Sequence, residues 1–127
     1  MKNFDFEQFI GSFSFDGRLA EADIEGSRAH VRMLVKSGIL KRAEGGKIVA
    51  GLESILRDIK KGWKLPKQED IHFAVEKEFI KRIGPLGGKM HTARSRNDQV
   101  ATDLRLYLRK ETDECIGLIE EIGRAHV

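Results

Sequence analysis

Residues 89–100 read KMHTARSRNDQV, and they set Lys89, His91, Arg94 and Arg96 among Thr92, Ser95, Asn97, Asp98 and Gln99. Cations interleaved with hydrogen-bonding side chains can hold a carboxylate or a phosphate. The run Ser95-Arg96-Asn97-Asp98 also matches a capping box. There Ser95 would accept from the backbone N–H of residue 98, and Asp98 would reach back to that of Ser95. Capping accounts for those two residues and leaves their neighbours unexplained. Lys89, Arg94 and Arg96 crowd positive charge near a helix N-terminus that is already positive. That arrangement costs stability unless an anion docks there. Two readings therefore stand, an anion site and a solvated cation triplet. Gly87-Gly88 precede the turn and permit tight backbone geometry.

A second grouping is His72 and Glu76, spaced i, i+4. A metal site would need another such pair, and none is evident, so a hydrogen-bonded helix pair and no metal is expected. His30 reads as a packed or solvated histidine.

Four helices must position these groups, and no convincing strand appears. The first is expected from about Arg18 to Ser37, with Leu19, Ala22, Gly26, Ala29 and Met33 at three- and four-residue steps. Ile24, Val31 and Leu34 widen its stripe, Asp16 is a candidate N-cap, and Gly38 a candidate stop. The second runs from about Ala43 to Lys61, with Ile48, Leu52, Ile55 and Ile59 as its core face. Gly45 and Gly46 should weaken its first turns by roughly 1 kcal/mol each. The third runs from about Glu69 to Ile83, ended by Gly84 and Pro85. The fourth starts near Arg96 and passes Cys115. Its residues Val100, Leu104, Leu108, Cys115, Leu118 and Ile122 keep near-heptad spacing. A stripe of that length packs in a bundle of long helices.

Composition narrows the class. The chain has 127 residues, 40% apolar and 34% charged, with a net charge of +3. That balance suits a folded, helix-rich domain and is too apolar for disorder. The small net charge gives no argument for nucleic acid or a membrane surface, and no basic stripe forms along the helices. The single cysteine, Cys115, excludes an internal disulfide and fits a reducing compartment. No apolar run approaches a membrane span, and the start shows no secretory signal. A cytoplasmic protein is the simplest expectation.

Three blocks carry a likeness beyond composition. HTARSRNDQVATDLRLYLR closely resembles the argininosuccinate lyase family of the fumarase/aspartase superfamily. SFSFDGRLAEADIEGSRAHVRML is similar to that family's first substrate-contacting loop and helix. EDIHFAVEKEFIKRIGPLGGKMHT is similar to the segment leading to its first conserved region. The blocks together cover roughly residues 9–120. The resemblance implies an all-α fold: an N-terminal helical lyase domain over residues 1–95, then the start of a long central-bundle helix over 96–121. It implies reversible cleavage of argininosuccinate to arginine and fumarate, in arginine biosynthesis. A base removes a proton beside a carboxylate, an aci-carboxylate forms, and the guanidino nitrogen leaves with help from an acid. No metal or organic cofactor is implied.

Carried over residue by residue, Ser12 and Asn97 should contact substrate, with Ser95 and Arg96 beside them. Asp16 should reach the substrate's amino-acid end. His72, His91 and Arg94 are expected in support, with His91 orienting the turn. Ser12 and Asp16 have a plainer alternative as caps of the first helix. The family's Thr-His pair and its mobile Gly-Ser-Ser-rich loop, which carries the catalytic serine, have no counterpart here, so no catalytic residue is expected in this chain. The family works as a homotetramer in which three subunits build each active site. Members usually begin with a Leu-Trp-Gly-Gly-Arg-Phe stretch, which MKNFDFEQ does not match. A non-enzymatic crystallin-like relative, or a superfamily lyase acting on adenylosuccinate, aspartate or malate, are the alternatives. The intact Ser12, Arg96 and Asn97 favour enzyme ancestry, and the HTARSRNDQ turn favours the argininosuccinate branch. The last residues, IGRAHV, have ATC GGA AGA GCA CAC GTC as one reverse translation, which reads like a common sequencing-adapter string. Residues 122–127 are thus expected to be a non-native tail, and different codons in the nucleotide record would refute this.

Overall fold

The computed structural model describes residues 9–126. The N-terminal departure at residues 1–8 and the final Val127 lie outside the described residues. A short helical turn, α1 (Phe13–Asp16), leads through a 3-10 turn (Gly17–Leu19) into α2 (Ala20–Lys36). Then follow α3 (Arg42–Lys60), α4 (Ile71–Ile83), a 3-10 stretch (Gly84–His91) and α5 (Arg96–Ala125). No strand occurs among the described residues. The all-α expectation and its four main helices hold.

Side-chain contacts fix the arrangement. Val35 lies against Gly45, Arg28 pairs with Glu53 at 2.7 Å, and Lys60 reaches Glu21 at 3.9 Å. Those pairs run in opposite order, so α2 and α3 are antiparallel. Phe79 and Ile83 of α4 pack over Gly51 of α3. Between α2 and α5, Lys110 approaches Glu21, and Arg94 bonds Ser27, again antiparallel. The core gathers Ile24, Val31 and Leu34 from α2 with Ile48, Leu52 and Ile55 from α3. Ile71, Val75 and Phe79 from α4 and Met90 complete it.

The helix boundaries follow local chemistry. α2, α3 and α4 stop at Gly38, Gly62 and Gly84, each with a positive φ that residues with a Cβ resist. Asp70 caps α4, its Oδ1 accepting from Phe73 N at 2.5 Å. Asp16 does not cap α2 as expected: its Oδ1 accepts from Ile71 N at 3.2 Å, at the start of α4.

Most of the expected first-helix stripe is buried: Leu19, Ala22, Ile24, Gly26, Val31 and Leu34 face inward, while Ala29 and Met33 are exposed. The polar Asp23 and Ser27 also occupy inward positions, which the apolar pattern did not include. In α5 the near-heptad residues are exposed, as expected of a bundle face without its partner helices, and the buried residues are Gln99 and Asp103.

Gly45 also departs from expectation. A Cβ there would stand 2.2 Å from Val35 Cγ2, whereas one at Gly46 would meet nothing. Gly45 is the close contact that lets α2 and α3 meet. Gly45→Ala is therefore expected to lower stability by about 1–3 kcal/mol through overpacking. Gly46→Ala should raise it by up to about 1 kcal/mol through helix propensity. Urea denaturation of the pair tests this, and equal shifts would refute it.

Candidate functional site

The stretch 92–95 joins the 3-10 segment to α5. Ala93 has φ +56°, the left-handed region that a residue with a Cβ enters at a cost of about 1–2 kcal/mol. The reversal lets Arg94 point back to α2, where its Nη1 donates to Ser27 Oγ at 2.8 Å. His30 on α2 lies 2.9 Å from the Thr92 carbonyl through its Nε2, so this histidine braces the turn. Ser95 caps α5 as expected, but its Oγ accepts from Asn97 N at 3.2 Å instead of from residue 98. No bond from Asp98 back to the Ser95 N–H forms among the described residues, so half of the capping box is absent.

The cations of the turn are not a free triplet. Lys89 Nζ meets Glu44 Oε1 at 2.5 Å. Arg96 Nη2 donates to Glu76 Oε2 at 2.8 Å, and its Nη1 donates to Gln99 Oε1 at 2.9 Å. Two of the three positive charges thus have internal carboxylate partners, which relieves much of the repulsion at the helix start. Arg94 alone rests on a neutral hydroxyl. Glu76 does not pair with His72. It faces Arg96 and, at 3.2 Å, His91 Nε2. Burial, together with Arg96 and Arg94, holds the His91 imidazole below its ordinary range against the pull of Glu76. The neutral form of His91 is therefore favoured, with Glu76 as its side-chain neighbour. Asn97 is exposed, and its side chain has no partner among the described residues.

Beneath the turn lies a cluster that spacing did not reveal. Asp23 and Asp103 are fully buried and flank the buried His72. His72 Nδ1 lies 3.1 Å from Asp23 Oδ1 and 3.2 Å from Asp103 Oδ2. The Gln99 side-chain amide also donates to Asp23 Oδ1. Burial resists charge on His72, but its close contacts with Asp103 and Asp23 and their negative charges raise it to about 9. Burial raises Asp103 to about 6, aided by Asp23 and opposed by His72. At neutral pH His72 is an imidazolium between two carboxylates. Among the described residues, Asp23 Oδ2 and both Asp103 oxygens still lack a donor in hydrogen-bonding geometry.

Asp23, His72 and Asp103 are the residues that could hold a metal, each offering a donor atom within 4.8 Å of the others. The His72 nitrogen that would ligate is the one whose proton lies against both carboxylates. A resident proton that tightly held is the simpler counter-charge. Gly26 makes the room: a Cβ there would stand 2.9 Å from Asp103 Oδ1 and 3.6 Å from Arg94 Nη2.

Ser12 and Asp16 form a second locus. Ser12 Oγ donates to Asp16 Oδ2 at 2.5 Å, and Ser12 N donates to the Glu69 carbonyl at 2.8 Å. Asp16 is buried, with its carboxylate shared between Ser12 and the α4 N-terminus. Both residues thus anchor the first loop onto α4. The structure brings Arg94, Arg96, His91 and His72 into one connected region at the α2–α4–α5 junction. Asp23, Gln99 and Asp103 were missed. Their signal was an i, i+4 polar pair on each helix, Asp23 with Ser27 and Gln99 with Asp103, interrupting otherwise apolar faces.

A family model described as "Lyase" matches residues 5–125. The argininosuccinate lyase of Syntrophus aciditrophicus (strain SB) is 57% identical over 121 residues, 94% of this chain and 26% of that protein. That of Syntrophotalea carbinolica is 53% identical over 118 residues, 91% of this chain and 26% of that protein. That of Geobacillus sp. (strain WCH70) is 52% identical over 124 residues, 95% of this chain and 27% of that protein. The chain spans about a quarter of the length of these curated relatives. With a matching family model over nearly its whole length and the all-α fold around the Arg96 turn, this chain belongs to the lyase family.

Proposed function

We propose that this chain is the N-terminal part of an argininosuccinate lyase, which cleaves argininosuccinate reversibly to L-arginine and fumarate. The observation that carries the reading is the likeness to argininosuccinate lyases over nine-tenths of the chain, 57% identical in one case. The geometry around the turn supports it. Asn97 offers an unpaired amide at the start of α5, beside Arg96 and Arg94, where an anionic substrate is favoured. In this reading Asn97 and Ser12 contact the substrate, Arg96 and Ser95 border it, and Asp16 secures the loop that presents Ser12. His72, His91 and Arg94 support the turn. The acid and base of the elimination come from segments beyond these residues. The full enzyme is a cytoplasmic homotetramer with bundled central helices, of which α5 supplies the first part.

Two experiments test the proposal. The purified 127-residue chain is expected to release no fumarate from argininosuccinate, because an isolated binding wall supplies no proton transfer. A chimera joining residues 1–121 to the remaining part of the Syntrophus aciditrophicus relative is expected to be active. Fumarate absorbance reads both. An active isolated chain, or a folded tetrameric chimera without activity, would refute the assignment.

A further inference from the structure

We propose that Gln99 is a positioning residue whose amide joins the buried Asp23–His72–Asp103 cluster to Arg96 and so fixes the turn that presents Asn97. The inference rests on the reading of that turn as a substrate-binding element.

Gln99 is 1% exposed and belongs to α5, yet its side chain touches groups that serve two other helices. Its Oε1 accepts from Arg96 Nη1 at 2.9 Å, and its Nε2 donates to Asp23 Oδ1 on α2. Only one orientation of the amide is chemically possible. Reversing it would set a carbonyl against the Asp23 carboxylate and an NH2 group against the guanidinium. Burial removes water as a substitute partner, so both contacts must be made by protein. Arg96 is held on its other nitrogen by Glu76 of α4 at 2.8 Å. The guanidinium is therefore clamped from two sides, and Asn97 is the next residue along the chain.

The clamp has a charged foundation. Asp23 Oδ1 accepts from both Gln99 and His72, while Asp103 stands 3.2 Å from the same His72 nitrogen. Arg96, Gln99, Asp23, His72 and Asp103 make one continuous polar path from the helix start to the interior. A carboxylate that is already hydrogen-bonded to an imidazolium is held in place, so the amide it orients is held as well. An exposed Arg96 would sample many rotamers. Here the path selects one before any ligand arrives, which lowers the ordering cost of binding. The expected signature is a loss in substrate binding that exceeds the loss in turnover.

The test uses the active chimera described above and the 127-residue chain. Gln99→Leu fills the space and removes both bonds. In the chimera it is expected to raise KM about tenfold while kcat changes less, the size of one hydrogen bond to a charged group. Gln99→Glu alone should raise KM similarly, because it sets a carboxylate against Asp23. In the 127-residue chain, Gln99→Leu and Asp23→Ala should shift the melting temperature non-additively, because each removes the same Gln99–Asp23 bond. An unchanged KM in Gln99→Leu, or additive shifts in the chain, would overturn the inference. An inactive parent chimera would instead count against the proposed function, and the coupling measured in the chain would still decide the clamp.

Discussion

Replacing His72 by leucine is expected to destabilise the chain by about 3–5 kcal/mol, the usual cost of leaving a buried charge without its partner. The substitution removes the single cation from between Asp23 and Asp103, both of them fully buried. Three of their four oxygens already lack a donor in good geometry among the described residues. Without the imidazolium, Asp23 keeps only the Gln99 amide. The pH dependence separates this mechanism from simple loss of packing. His72 is raised to about 9 in the folded chain, above the usual 6.5. A raised histidine contributes stability that is complete below about pH 6.5 and is lost as pH climbs through about 9. The shift corresponds to roughly 3 kcal/mol over that interval. Asp103, raised to about 6, acts in the same sense at lower pH: its favourable protonation is given up between about 4 and 6. The parent chain should therefore lose stability steadily from pH 6.5 to 9, and His72→Leu should be flat there. Urea midpoints across that range measure it. A parent whose stability does not change between pH 6.5 and 9 would rule out the imidazolium.

The same cluster shows where sequence reading succeeds and stops. Helix ends at Gly38, Gly62 and Gly84 were legible because each is a local backbone requirement carried by one residue. The core of α3 was legible because Ile48, Leu52 and Ile55 are apolar and correctly spaced. The Ser95 cap was legible for the same reason, though its bonding partner differed by one residue. Asp23, Gln99 and Asp103 were not, because a polar residue normally marks an outward face. Their burial depends on partners distant in sequence: His72 and Asp23 are 49 residues apart, Gln99 and Asp23 76. The pairing of Arg96 with Glu76 is equally non-local. It changed three crowded cations into two satisfied ones and a third resting on Ser27. Charge counting along one turn could not contain the Glu44 and Glu76 carboxylates contributed by α3 and α4.

The largest effect on solution behaviour is expected from the face of α5 that no other described residues cover. Val100, Leu104, Leu108, Leu118, Ile119 and Ile122 are between 39% and 67% exposed. They form a stripe along a 30-residue helix, and the core of the chain lies elsewhere. A continuous apolar strip of this length is a sticky surface. The near-heptad spacing suits it to pair with another helix through side-chain interdigitation. The 127-residue chain should therefore self-associate, with its apparent mass by light scattering rising with concentration. Changing Leu104, Leu108 and Leu118 together to glutamate should give a monomer. That triple variant should melt within a few degrees of the parent under dilute conditions, because these side chains contribute no buried core area in one chain. Core leucines would behave oppositely: Leu52→Glu should abolish folding. A parent chain that remains a monodisperse monomer at high concentration would refute the expectation. So would a triple variant that unfolds, since that would place the stripe in the stability of the single chain and not in an interface.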